Sequence, residues 1–117
     1  MAGSRTDVDA LLPLAPAAFH ILLALGPGDR HGYGIIQDVE ARTDGAVRLS
    51  PGTLYRTIQR LLEQGLISEP RSSPVTDPRR RPYRITALGR AVARAESHRL
   101  ATLVHLARSS GLLPEPS

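Results

Sequence analysis

The sequence contains no cysteine, no tryptophan and no lysine, and its only aromatic side chains are three Tyr and one Phe. Without cysteine there is no disulfide scaffold, no thiol nucleophile and no cysteine-ligated zinc or iron–sulfur centre. With so few aromatics, and no Trp to stack a planar ligand, little is left to line an aromatic pocket. No apolar run approaches the roughly 20 residues that a bilayer span needs. Asp7 and Asp9 stand where a secretion signal would carry basic residues. The expectation is a cytoplasmic protein with no membrane partner.

What is present suffices for one domain. Of 117 residues 41% are hydrophobic, most of them Leu, Ile or Val, enough for a genuine core. The formal charge of +4 comes from 15 Arg against 11 carboxylates, and it is unevenly spread. Residues 1–47 are net acidic, whereas residues 48–108 carry 12 Arg and 4 carboxylates. Such a concentration favours polyanions such as nucleic acid, although an acidic protein surface or anionic lipid would feel the same field. Arginine to the exclusion of lysine suits phosphate recognition through its fixed fork; GC-rich coding produces the same bias.

Four helices and a hairpin are predicted. Pro16–Leu25 is apolar almost all round, opens on proline and is stopped by Gly26-Pro27-Gly28. His31 to Thr43 puts Ile35, Ile36 and Val39 on one side and exits at Asp44-Gly45, with Gly32 and Gly34 suggesting close helix packing. The third helix has Ser50 as N-cap, Pro51 at its first position and Gly65 at its close. Its stripe of Leu54, Ile58, Leu61 and Leu62 leaves Thr53, Arg56, Gln59, Arg60 and Glu63 opposite. Two β segments, 66–71 and 81–86, flank a Pro-containing, Arg-rich tip. Thr86 then caps a helix from Ala87 to Ser109, about 34 Å long at 1.5 Å per residue. Tyr33 and Tyr83 are expected in the core, and Tyr55 at the flank of the stripe with its hydroxyl available to a phosphate.

This order of elements is mainly α with a small β-hairpin: a winged helix-turn-helix plus a long C-terminal dimerisation helix. The expected organisation is a disordered tail over 1–9, a DNA-binding domain over 10–86, the dimerisation helix over 87–110 and a tail over 111–117. In that architecture the third helix enters the major groove. Arg56 and Arg60 lie one turn apart and suit phosphate or the guanine edge, and Gln59 between them suits adenine. Ser50, Pro51, Gly52 and Thr53 make a helix start that favours a phosphate, with Tyr55 beside it. Arg79, Arg80 and Arg81 at the hairpin are placed to follow the backbone or a narrow minor groove. On the last helix the apolar band of Leu88, Val92, Ala95, Leu100, Leu103, Leu106 and Ala107 is wide enough to pair with a second copy, or to fold back on the chain's own core. Arg99, three residues after Glu96, forms either a local or a cross-dimer ion pair.

Metal and enzyme chemistry find no support. His98 and His105 are seven residues apart, roughly 10 Å along one helix, too far to share an ion within a chain. No cofactor is expected. There is no nucleophile motif or phosphate-cradling loop, and Ser50-Pro51-Gly52 starts a helix without a preceding strand or evident base.

The sequence resembles the PadR family of transcriptional regulators over residues 12–110. The resemblance rests on His31-Gly32-Tyr33-Gly34-Ile35-Ile36, on Leu49-Ser50-Pro51-Gly52-Thr53-Leu54-Tyr55 and on Gly65-Leu66-Ile67. It extends to Arg79-Arg80-Arg81, Tyr83-Arg84-Ile85-Thr86 and Gly89-Arg90. It implies a dimeric DNA-binding repressor of the short subtype, released from its operator by a small, often aromatic or drug-like effector whose binding residues are unknown. Two positions depart from the family pattern. Pro82 replaces a common aromatic and, lacking an N–H, implies an edge or bent strand; Arg56 stands where proline is frequent. A winged-helix protein-interaction module and a non-specific DNA-binding protein remain open as alternatives.

Overall fold

The computed structural model describes residues 5–70 and 80–116. Its elements are α1 (Arg5–Asp9), α2 (Pro16–Leu25), β1 (Arg30–His31), α3 (Gly32–Arg42), α4 (Pro51–Glu63), β2 (Ile67–Ser68), β3 (Pro82–Ile85) and α5 (Ala87–Ser109).

Local chemistry fixes most boundaries. Pro16 occupies the first turn of α2, which buries Ala18, Ile21, Leu22, Ala24 and Leu25. At the exit of α3, Thr43 Oγ1 donates to the Val39 carbonyl (2.8 Å) and accepts from Val47 N–H (3.0 Å), so one hydroxyl closes the turn. Asp44 and Gly45 then take φ of 50° and 80°, a reversal that costs glycine nothing. Ser50 Oγ accepts the Thr53 N–H and caps α4, a bond worth about 1 kcal/mol. Gly65 leaves α4 at φ 73°, with Leu66 N–H returning to the Leu61 carbonyl.

Ile21, Leu22 and Leu25 of α2, Ile35 of α3, Leu54 and Leu61 of α4, Leu66 and Val92 are the largest fully buried side chains. Each stabilises the fold by about 1.5–3 kcal/mol relative to exposure. α2 lies at the centre, touching α3, α4, α5 and β3. The three strands form an antiparallel sheet in the order β1–β3–β2, with Arg30 opposite Tyr83 and Ile67 opposite Ile85.

Thr86 joins the sheet to α5. Its hydroxyl donates to the Gly65 carbonyl (2.7 Å) and accepts from Gly89 N–H (3.0 Å), while its own N–H bonds the Leu66 carbonyl (3.1 Å). Gly89 is buried against that same carbonyl, leaving no room for a Cβ. The first half of α5 packs on the body and buries Val92 and Glu96; beyond it Leu103, Val104 and Leu106 are exposed. The architecture is a winged helix-turn-helix followed by a long helix.

Several expectations are corrected. Residues 5–9 form α1, which packs on α5 with Val8 buried, rather than a disordered tail. The hairpin is a three-stranded sheet, and β3 is its central strand. Pro82 sits in that strand's first position, opposite His31, where proline is tolerated, rather than marking an edge. Tyr33 is 63% exposed instead of being in the core. Only Gly32 of the two α3 glycines meets a neighbouring helix; Gly34 lies near Arg30 and His31 alone. Val92 is wholly used by the chain's own core, and the half-buried Leu88 and Ala95 pack against that core, which removes Val92 from any surface offered to a partner.

Candidate nucleic-acid interface

α4 divides as its sequence predicts. Leu54, Ile58 and Leu61 are buried, Leu62 is half-buried, and Arg56, Gln59, Arg60 and Glu63 are exposed with Ser50, Pro51 and Gly52 at the start of the helix. Ser50 Oγ also bonds Thr53 Oγ1 (3.1 Å), and Thr57 Oγ1 donates to the Thr53 carbonyl (2.7 Å). The Arg56 guanidinium reaches back along the helix, since a Cβ on Gly52 would lie 3.9 Å from its Nη2. Arg56 and Arg60 together border a cavity of about 230 Å³ beside Ala15, which precedes α2, and Ala18 within it. Gln59 Nε2 donates to Glu63 Oε1 at 3.3 Å. Tyr55 is half-buried, and a Cβ on Gly32 would meet its Oη at 2.5 Å. The hydroxyl therefore lies over the start of α3, and the missing side chain at Gly32 is what lets the two helices of the turn approach.

The base of the wing is held by ion pairs. Arg84 grips Asp29 with two bonds, Nε to Oδ1 at 3.0 Å and Nη2 to Oδ2 at 2.8 Å, which ties β3 to the loop before β1. The guanidinium holds the Asp29 carboxyl below its usual pKa. Arg81 lies 3.9 Å from Glu69 across the two wing strands, and Arg80 is exposed beside it. Burial pushes the Tyr83 hydroxyl above its ordinary pKa. Arg79, with residues 71–78 of the expected hairpin tip, lies outside the described residues.

Arginine partners separate structural from available charge. Arg30 and Arg42 share Asp38, Arg48 pairs with Glu40, and Arg99 with Glu96. Arg90 bonds the Gly26 carbonyl and Arg108 the Pro114 carbonyl. Among the described residues Arg56, Arg60, Arg80 and Arg94 have no such partner. Three of these four are on α4 or the wing; the fourth, Arg94, lines a cleft of about 540 Å³ between α2 and α5. This contrast is invisible in the sequence, where all the arginines look alike. The Glu96–Arg99 pair is local, at 2.7 and 2.8 Å, as one of the two sequence alternatives has it.

Comparison with known proteins decides the family. The family model described as "Transcriptional regulator PadR-like family" matches residues 21–95. The chain belongs to the PadR-like family. A transcriptional regulator of Mycobacterium tuberculosis is 42% identical over 79 residues, covering 66% of this chain and 68% of that one. An uncharacterised protein of Lysinibacillus sphaericus is 36% identical over 63 residues, a match spanning 54% of this chain and only 58% of that relative's length. Among solved structures, a transcriptional regulator from Clostridium thermocellum superposes with a TM-score of 0.68 at 23% identity, covering 92% of this chain and 96% of that one. A PadR family regulator from Clostridium difficile gives 0.66 at 21% identity, covering 81% and 97%. These two PadR-like and regulatory structures share the fold described above. Among the described residues no helix is long and apolar enough to cross a membrane.

Proposed function

We propose that this PadR-like regulator is a cytoplasmic repressor that binds a pseudo-palindromic operator in double-stranded DNA as a homodimer. The observation that carries the reading is the placement of unpartnered arginines: Arg56 and Arg60 on the outward face of α4, and Arg80 at the wing. Guanidinium groups already neutralised by carboxylates release few counterions on meeting phosphate, whereas free ones contribute fully to the salt-dependent affinity. α4 enters the major groove with Gly52, Arg56, Gln59 and Arg60 foremost, Ser50, Pro51 and Thr53 at the phosphate, and Tyr55 buttressing the turn. Arg80 and Arg81, with Arg79, follow the flanking backbone.

The exposed Leu103 and Leu106, with the half-buried Leu100 and Ala107, supply the dimer surface at the far end of α5. A symmetric pairing of that surface closes with two-fold symmetry, matching a two-fold operator. The cleft between α2 and α5 supports the effector reading. Leu22, Leu23, Ile85 and Ala93 give it an apolar lining, and Arg94 and His98 give it a polar wall without a carboxylate. A small amphipathic anion suits that chemistry.

Selection of bound duplexes from random DNA tests the whole reading. A two-fold symmetric motif is the expected result. Equal retention of scrambled duplex would show a non-specific DNA binder, and retention of no DNA at moderate salt would favour a protein-interaction module.

A further inference from the structure

The outward face of α4 carries an acid that a surface offered to a polyanion would be expected to lack. Gly52, Arg56, Gln59 and Glu63 follow one another at spacings of four, three and four residues, and so lie along a single line of the helix. Within the strongly basic stretch 48–108, the other two described carboxylates are each committed to an arginine: Glu69 to Arg81 and Glu96 to Arg99. Glu63 is not. Arg60, three residues before it, is at the spacing that favours an ion pair, yet remains unpartnered, and the Glu63 carboxylate instead accepts from the neutral amide of Gln59 at 3.3 Å.

That bond has a directional consequence. A glutamine amide carries two N–H donors on one atom and an acceptor on the other. A carboxylate has only acceptors to offer, so it attracts the Nε2 end of Gln59 and repels the Oε1 end. With one N–H turned to Glu63, the amide keeps one N–H and one carbonyl oxygen for a ligand, and their order along the helix is set. A donor beside an acceptor is the pattern that pairs with N7 and N6 of adenine in the major groove. A freely rotating amide would accept either order and would discriminate less.

We propose that Glu63 is a positioning residue for base specificity: it orients the Gln59 amide so that Gln59 reads an adenine. The inference rests on α4 being the helix that meets DNA. Its acidic charge weakens attraction to phosphate overall, and the return is selectivity at one base pair of each half-site.

The experiment is selection of bound sequences from random duplexes by the full-length protein and by Gln59→Ala, Glu63→Ala and Glu63→Gln, each first shown to be folded by circular dichroism. The wild type is expected to select adenine about tenfold over other bases at one half-site position, within the range of a bidentate contact. Gln59→Ala and Glu63→Ala should both cut that preference below about threefold at the same position. Glu63→Gln, whose amide can turn either a donor or an acceptor toward Gln59, should recover little of it. Affinity for DNA of any sequence should rise in both Glu63 variants, but that rise alone would follow from lost repulsion and is not the deciding readout. Retained adenine preference in Glu63→Ala, with loss in Gln59→Ala, overturns the positioning role while leaving the DNA reading intact. Loss of a cytosine at a different position in Glu63→Ala would overturn it too, by making Glu63 a direct base contact. A wild type that selects no motif would instead bring down the DNA reading itself.

Discussion

Replacing Gly89 with alanine probes how the long helix is rooted in the body. The new Cβ would collide with the Leu66 carbonyl oxygen and stand 2.9 Å from Ile85 Cγ1, so α5 must retreat or β2 must shift. Leu66 O cannot move freely, because it accepts the Thr86 N–H at 3.1 Å. Overpacking of this kind costs about 1–3 kcal/mol, and losing the hydrogen bond adds about 1 kcal/mol, giving roughly 2–4 kcal/mol together. For a chain of this length each kcal/mol lowers the melting temperature by about 4 °C, so Gly89→Ala should melt roughly 8–16 °C below the wild type. Circular dichroism melts at one fixed protein concentration make the comparison, since self-association would shift both curves. Gly52→Ala is the control: its Cβ meets nothing closer than Arg56 Nη2 at 3.9 Å, so stability should hold or rise by up to about 1 kcal/mol. A Gly89→Ala protein melting within about 2 °C of the wild type would refute the proposed rooting.

Three further outcomes are expected. Arg80→Ala should weaken binding to all duplexes alike and reduce the salt slope by about 1, whereas Arg60→Ala should cost about 1–3 kcal/mol and relax sequence preference; quantitative gel shifts at several salt concentrations separate the two. Leu103→Asp places a charge on the exposed end of α5, where Leu103 is 49% exposed, and should yield monomers in sedimentation velocity runs, with melting that no longer depends on protein concentration. The Glu96 carboxyl is held below its ordinary value of 4.5, chiefly by its hydrogen bonds from Arg99 and with help from the Leu14 backbone. Its contribution is therefore complete above about pH 4.5 and fades as pH falls through the lower folded value, so Glu96→Gln should flatten the acid limb of the stability curve measured by denaturant unfolding.

Elements with chemical punctuation were legible in the sequence. Pro16, the Ser50-Pro51 pair, Gly65 and Thr86 each mark a boundary that the structure places where the residue types demand. β1 was not legible, because two residues, Arg30 and His31, show no alternation, and they become a strand only through their pairing with Tyr83 and Pro82. α1 was hidden for a related reason: its five residues hold their conformation by lying on α5, and Val8 alone is too little apolar signal. Tyr33 reads as core from its neighbours Ile35 and Ile36, but its position around α3 turns it outward. On α5 the apolar band is continuous in sequence, and only the fold shows where its contact with the body stops. The candidate interface was legible as a set of residue types; which arginines are already taken by carboxylates was not, since Asp29 and Arg84 are 55 residues apart.

The junction at Gly89 also sets a mechanical ratio. From there to Ser109 the helix extends about 30 Å, so a tilt of only 5° at its root sweeps the free end through roughly 2.6 Å. The root is therefore the short arm of a long lever, and a displacement there too small to disturb the winged body moves the exposed Leu103 and Leu106 near the far end by a much larger amount.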